Sequence, residues 1–120
     1  MVLKQPQKIR VNFDSLEYVS NTSQEILGYN GQLFTGYAVL DYFADRNVSY
    51  EKEYRDGEVM GWINEYYPNG NLMSEKLCVW DSRNSILLNE YDQTGNLIKS
   101  MKMLTQEMYN ESVNKFNLLV

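Results

Sequence analysis

The chain has no histidine, one cysteine and two prolines among its 120 residues. Histidine is the usual general base near neutral pH and the commonest metal ligand. Its absence removes Ser-His-Asp and Cys-His nucleophile systems and most zinc chemistry. A single cysteine excludes an internal disulfide. Cys78, within "LCVWD", reads as a small buried apolar residue, with no histidine to activate its thiol. No segment approaches the roughly 20 apolar residues that a membrane span needs. The opening "MVLKQPQKIR" holds no apolar run of the kind found in signal sequences, so the cytoplasm is the expected compartment. Each glycine stands apart from the others, so no glycine-rich phosphate loop is present, and "DRNVSYEKE" lacks the alternation of a calcium loop. No cofactor and no metal are expected.

What the chain does have is tyrosine and acid. Ten tyrosines, two tryptophans and six methionines supply much of its apolar content. Tyrosine joins an apolar ring to a polar tip, which suits half-buried positions and interfaces. The net charge is -5, and it is unevenly placed. Residues 41–92 hold eleven acidic and five basic residues, while the flanks are nearly balanced. That middle would repel nucleic acid and anionic membranes and attract a basic protein.

Glycines organise the sequence. "YNGQL" (Tyr29 to Leu33), "YRDGEV" (Tyr54 to Val59), "YPNGNL" (Tyr67 to Leu72) and "YDQTGNL" (Tyr91 to Leu97) share one pattern. Tyrosine leads, glycine follows, and an aliphatic residue sits two beyond it. Asn-Gly and Asp-Gly favour two-residue hairpin turns, because both central residues take positive φ. Gly31, Gly57, Gly70 and Gly95 thus mark a degenerate repeat of hairpin arms. Gly36 and Gly61 mark close backbone approach or a bulge.

The segments between read as strands. In "VSYEKEY", Val48, Tyr50 and Tyr54 alternate with Ser49, Glu51 and Glu53. "KIRVNF" is a strand, "DSLEY" a short turn or helix, and "VSNTSQE" a polar loop that is a candidate for local disorder. "SEKLCVWD" and "SILLNEYD" are expected to pair around Asp81 to Ser85, and "NLIKSMKM" is a last strand. "TQEMYNESVNKFNLLV" is predicted helical, capped by Thr105, with Met108, Val113, Phe116 and Val120 as its apolar stripe and a role as a lid over the sheet's end. The expected architecture is all-β, a meander of consecutive antiparallel hairpins closed by a C-terminal amphipathic helix. One domain is expected: a strand and loop over 1–28, hairpin repeats over 29–103 and the helix over 104–120.

The repeat resembles MORN-type repeats, most closely the degenerate variant of the bacterial YwqK-family antitoxin and immunity proteins. "IRVNFDSLEY" (Ile9 to Tyr18) resembles that family's opening, and "YNGQLFTGYAV" (Tyr29 to Val39) its first repeat. "DGEVMGWINEYYPNGNLMSE" (Asp56 to Glu75) resembles its central double repeat. The glycine expected within "LCVWDSRNSILLNEY" is missing. The resemblance implies an immunity protein that binds and blocks a cognate toxin by stoichiometric occlusion, without turnover. The alternative is a MORN-like scaffold for another protein assembly, and monomer and weak homodimer both remain open.

As a partner-binding surface, Trp62, Tyr66, Tyr67 and Trp80 are the candidate aromatic anchors and Glu51, Glu53, Asp56, Glu58, Glu65 and Glu75 the candidate carboxylates. Each aromatic has a plainer reading as packing between hairpins. Glu51 and Glu53, side by side on one strand face, read as a solvated, edge-protecting charge row rather than as a catalytic pair across a cleft.

Overall fold

The computed structural model describes residues 9–19, 26–79 and 85–118. It is β-dominated, a meander of antiparallel strands with one C-terminal helix. The strands are β1 (Arg10–Asn12), β2 (Glu17–Tyr18), β3 (Leu27–Tyr29), β4 (Gln32–Leu33), β5 (Gly36–Tyr42), β6 (Val48–Arg55), β7 (Glu58–Tyr66), β8 (Leu72–Cys78), β9 (Ser85–Tyr91) and β10 (Leu97–Lys102). The helix α1 covers Gln106–Lys115. Strands β5 to β10 form an uninterrupted meander, and β1 joins its edge parallel to β5. Strands β2, β3 and β4 form a separate small sheet, so the "YNGQL" turn lies outside the main meander.

The expected hairpins form, but the repeat is not the one that the glycine spacing suggests. Asn30-Gly31 and Asp56-Gly57 are two-residue turns with positive φ at both positions. A different turn recurs at the opposite end of the main sheet. In Tyr67 to Asn71 the first N–H donates to the fifth carbonyl at 2.8 Å and the fourth N–H to the first carbonyl at 2.9 Å. Asp92 to Asn96 repeats this at 2.9 and 3.1 Å, and Phe43 to Asn47 at 2.8 and 2.9 Å. The turns thus start at Phe43, Tyr67 and Asp92, 24 and 25 residues apart. After each turn the register slips by one residue, at Ser49, Met73 and Ile98. These bulges add twist to every hairpin. The first of the three turns is hard to see in the sequence because its left-handed fourth position is Arg46, with φ +71°, where the others have Gly70 and Gly95.

Two apolar clusters lie on the two faces of the sheet. On one face α1 covers Met60, Trp62, Leu77, Val79, Ile86 and Leu87 with Tyr109 and Leu118, flanked by Val113 and Phe116. On the other, Leu27 and Phe34 from the N-terminal region pack on Ala38, Tyr54, Val59, Ile63 and Cys78. Cys78 is fully buried, as its apolar neighbours suggest. The small sheet is tied to the Asp56-Gly57 turn by Leu27 N–H to the Gly57 carbonyl at 2.9 Å and Gly57 N–H to the Phe34 carbonyl at 2.8 Å.

Thr105 caps α1 as expected, its hydroxyl accepting from Met108 N–H at 3.2 Å. The buried stripe differs from the expected one. Tyr109 is buried and Met108 is half exposed, while Val120 lies outside the described residues. The helix lies on a sheet face instead of closing the sheet's end, and it leaves every residue of β10 exposed. Arg55 fixes its C-terminus by donating to the carbonyls of Phe116 and, at 3.1 Å, Asn117. The segment "VSNTSQE" beyond Val19 and the turn between β8 and β9 fall outside the described residues, but Cys78 does pair with Ser85.

A β-carbon in the left-handed region costs about 1 kcal/mol that glycine avoids. Arg46→Gly is therefore expected to raise stability by about 1 kcal/mol and Tm by a few degrees. Thermal unfolding followed by circular dichroism checks this; an unchanged or lower Tm contradicts it.

Candidate protein-binding surface

Strand pairing sorts the acidic residues onto two faces. On the helix-covered face the register runs Val39, Glu51, Asn64, Glu75, Asn89, Ser100 across six strands. From Glu51 to Ser100 these positions form a ladder of hydrogen-bonded side chains. Arg10 donates to both Glu51 oxygens, Nε at 2.7 Å and Nη2 at 2.9 Å. Asn64 Nδ2 donates to Glu51 at 3.1 Å, and the Tyr66 hydroxyl donates to the same carboxylate. One period later Glu75 accepts from Asn89 Nδ2 at 3.0 Å and from the Tyr91 hydroxyl at 2.7 Å. The repeated donors come from "NEY", Asn64-Glu65-Tyr66 and Asn89-Glu90-Tyr91. The repeat therefore continues through the segment that lacks its glycine.

Glu51 and Glu53 are each 0% exposed and Glu75 is 4% exposed, which corrects the reading of Glu51 and Glu53 as a solvated charge row. Alternation along β6 placed them correctly on one face but could not tell that the face is covered. Glu53 accepts from the backbone N–H of Trp62 at 3.0 Å. Gly61, at φ +112°, makes room for it, since a β-carbon there would lie 2.1 Å from Glu53 Oε1. This is the close approach that an isolated glycine within a strand signals. Among the described residues, every buried side-chain nitrogen and oxygen has a hydrogen-bond partner.

Two of the aromatic candidates are equally internal. Trp62 is 2% exposed beneath α1, and Tyr66 is buried against Glu51. Tyr67 is half-buried and donates its hydroxyl to the Tyr91 carbonyl at 2.8 Å, tying one repeat to the next. Trp80 lies outside the described residues. Burial raises the Tyr66 phenol pKa, and the Glu51 carboxylate raises it further. Burial also raises Tyr91, which with Glu75 as its acceptor is pushed up to about 12.

Of the candidate carboxylates, Asp56 and Glu65 are exposed and Glu58 is half-buried. Asp56 sits in the two-residue turn, its N–H donating to Thr35 Oγ1 at 3.0 Å. Glu65 belongs to a row on the opposite face of the sheet, registered as Asp41, Tyr50, Glu65, Ser74, Glu90 and Lys99. Asp41, Glu65 and Glu90 occupy equivalent places before the three like turns. At one end of this row lies an open groove of about 400 Å³, lined by Asp41, Phe43, Ser49, Tyr50, Glu65, Tyr66, Pro68 and Met73. Sequence reasoning passed over Asp41, Phe43, Tyr50 and Glu90 as site residues. The interval of 24 to 25 residues would have aligned Asp41 with Glu65 and Glu90. An open, acidic and aromatic groove on a sheet face has the features of a surface for basic polypeptide.

Searches against protein-family models, curated proteins and solved structures return no match. Among the described residues no helix is long and apolar enough to cross a membrane.

Two outcomes follow from the ladder. Arg10→Met leaves a buried carboxylate without its cation and is expected to cost about 3 kcal/mol in urea unfolding. Glu65→Gln, on the exposed row, should stay within about 0.5 kcal/mol. Equal effects would contradict the division between the faces. The second outcome concerns alkaline pH. An unfolded tyrosine ionises near 10, whereas Tyr91 keeps its proton to about 12. The folded state then binds more protons than the unfolded one, so this contribution is complete below pH ~10 and is lost as pH rises through the folded value. Stability measured against pH should fall less steeply over this window in Tyr91→Phe, and an unaltered slope would count against the assignment.

Proposed function

We propose that this chain is a bacterial, cytoplasmic immunity protein of the MORN-variant kind, which binds a basic protein toxin and occludes it stoichiometrically. The observation that carries the reading is the row of Asp41, Glu65 and Glu90 beside the Tyr50 groove, exposed or half-exposed carboxylates repeated along one sheet face. The ladder of Glu51 and Glu75 holds the strands in register beneath that row, so the surface is presented on a rigid support. Such a support lowers the ordering cost of binding. Carboxylates at the margin raise the association rate and select for positive charge, while the rings beside them supply contact area. A nuclease-type toxin, whose substrate surface is basic, is the class of partner that this charge fits. Binding involves no turnover and no cofactor.

The wholly exposed edge strand β10 favours a second reading, a repeat scaffold in which another protein's strand adds to the sheet. Expressing the adjacent gene in the native host's genome with and without this chain separates the two. The immunity reading expects toxicity that this chain abolishes, and a harmless neighbour rejects it. For the isolated pair, affinity should fall at least about tenfold between low and high salt, and Glu65→Lys should weaken it further. A flat salt response would remove the electrostatic mechanism.

A further inference from the structure

The groove beside Tyr50 has a more specific chemistry than an acidic surface alone. Asp41, Tyr50 and Glu65 are registered partners on three adjacent strands, and all three line the groove. Neighbouring strands lie about 4.8 Å apart, so the two carboxylates stand roughly 10 Å apart at the backbone with the ring between them. Ser49 Oγ donates to Asp41 Oδ2 at 2.9 Å, which orients that carboxylate. Phe43, Pro68 and Met73 complete an apolar wall, and the lining contains no lysine or arginine. The Tyr50 ring already has a cation near it, since Lys52 Nζ lies 6.0 Å from its centroid. That distance is the outer limit of a cation–π contact, so Lys52 engages the ring only weakly. The volume, about 400 Å³, is at the small end for ligand sites and suits one side chain better than a large molecule.

We propose that this groove receives an arginine side chain of the protein partner, with its guanidinium laid on the Tyr50 ring and its edges held by the carboxylates of Asp41 and Glu65. A planar guanidinium stacks on an aromatic face and donates in its own plane towards two acceptors; a lysine ammonium is a compact point charge and cannot do both. The anchor would set the register of the partner on the acidic row, while the flanking carboxylates set its rate of approach. It rests on the reading of this face as a binding surface for basic protein, and adds which side chain is gripped and where.

Amide chemical shifts of the full chain, titrated with Nα-acetyl-arginine methylamide and separately with the lysine analogue, test it. The expected result is saturable shifts centred on Asp41, Ser49, Tyr50 and Glu65, at millimolar concentrations and about fivefold tighter for arginine than for lysine. The Asp41→Asn/Glu65→Gln variant, altered only at exposed residues, should keep its folded spectrum and lose the saturable shifts. Glu90→Gln, outside the groove, should keep them. Shifts that stay linear to about 100 mM, that spread equally over Asp56 and Asp92, or that are the same for both cations overturn the arginine site. Retention of saturable binding in the double variant overturns it as well. The titration needs no toxin, so a chain that fails it yet still neutralises its genomic neighbour loses the arginine anchor and keeps the proposed function.

Discussion

The buried carboxylate of Glu51 constrains more of this structure than any other group. A carboxylate out of water is costly unless an opposite charge and further donors surround it. Here the donors come from two strands, Arg10 on β1 and Asn64 and Tyr66 on β7, around Glu51 on β6 between them in the chain. Bidentate pairing with Arg10 requires β1 to lie at the β5 edge in its observed parallel register, with Tyr37 N–H bonded to the Ile9 carbonyl at 2.8 Å. A slip of one residue anywhere in β6 or β7 would turn Glu51 or its donors to the opposite face. The ladder thus makes register a matter of satisfying charge, where two apolar faces alone would specify it weakly.

The same arrangement, one period on, explains how a degenerate sequence keeps its repeat. Glu75 meets Asn89 and Tyr91 as Glu51 meets Asn64 and Tyr66, although the intervening segment has lost its glycine. Hairpin ends are joined as well. Tyr67 bonds the Tyr91 carbonyl, and Asn69 and Asn71 donate to the Gln93 carbonyl at 2.9 and 2.8 Å. Each repeat is therefore held to its neighbour through the sheet and through the turns, as expected for an array whose units cannot bury a face alone. Interior acids Glu51 and Glu75, on β6 and β8, fix the frame, while Asp41, Glu65 and Glu90, on β5, β7 and β9, lie on the opposite face. Within β7 and β9 adjacent residues take opposite sides, Asn64 and Asn89 donating inward while Glu65 and Glu90 face outward, because side chains alternate between the faces.

Much of this was legible in the residues. Turn chemistry located Asn30-Gly31, Asp56-Gly57, Gly70 and Gly95; aromatic and β-branched runs located the strands; and Thr105 located the start of the helix. The isolated Gly61 signalled close approach. Other features were hidden for physical reasons. Arg46 holds a left-handed position without the glycine that would announce it. Met108 and Tyr109 are neighbours on α1, and only packing against Ile86 and Leu87 decides that the tyrosine turns inward.

Sequence by itself determined the class of fold, the hairpin ends and the excess of acid, because these follow from local backbone preference and composition. Tertiary structure alone decided which acids are buried and which are presented. Alternation assigns Glu51 and Glu53 to one face and Tyr50 to the other, but nothing local states that α1 and Arg10 lie over the first. Coverage depends on segments tens of residues away, and it turns a carboxylate from a solvated charge into a structural one.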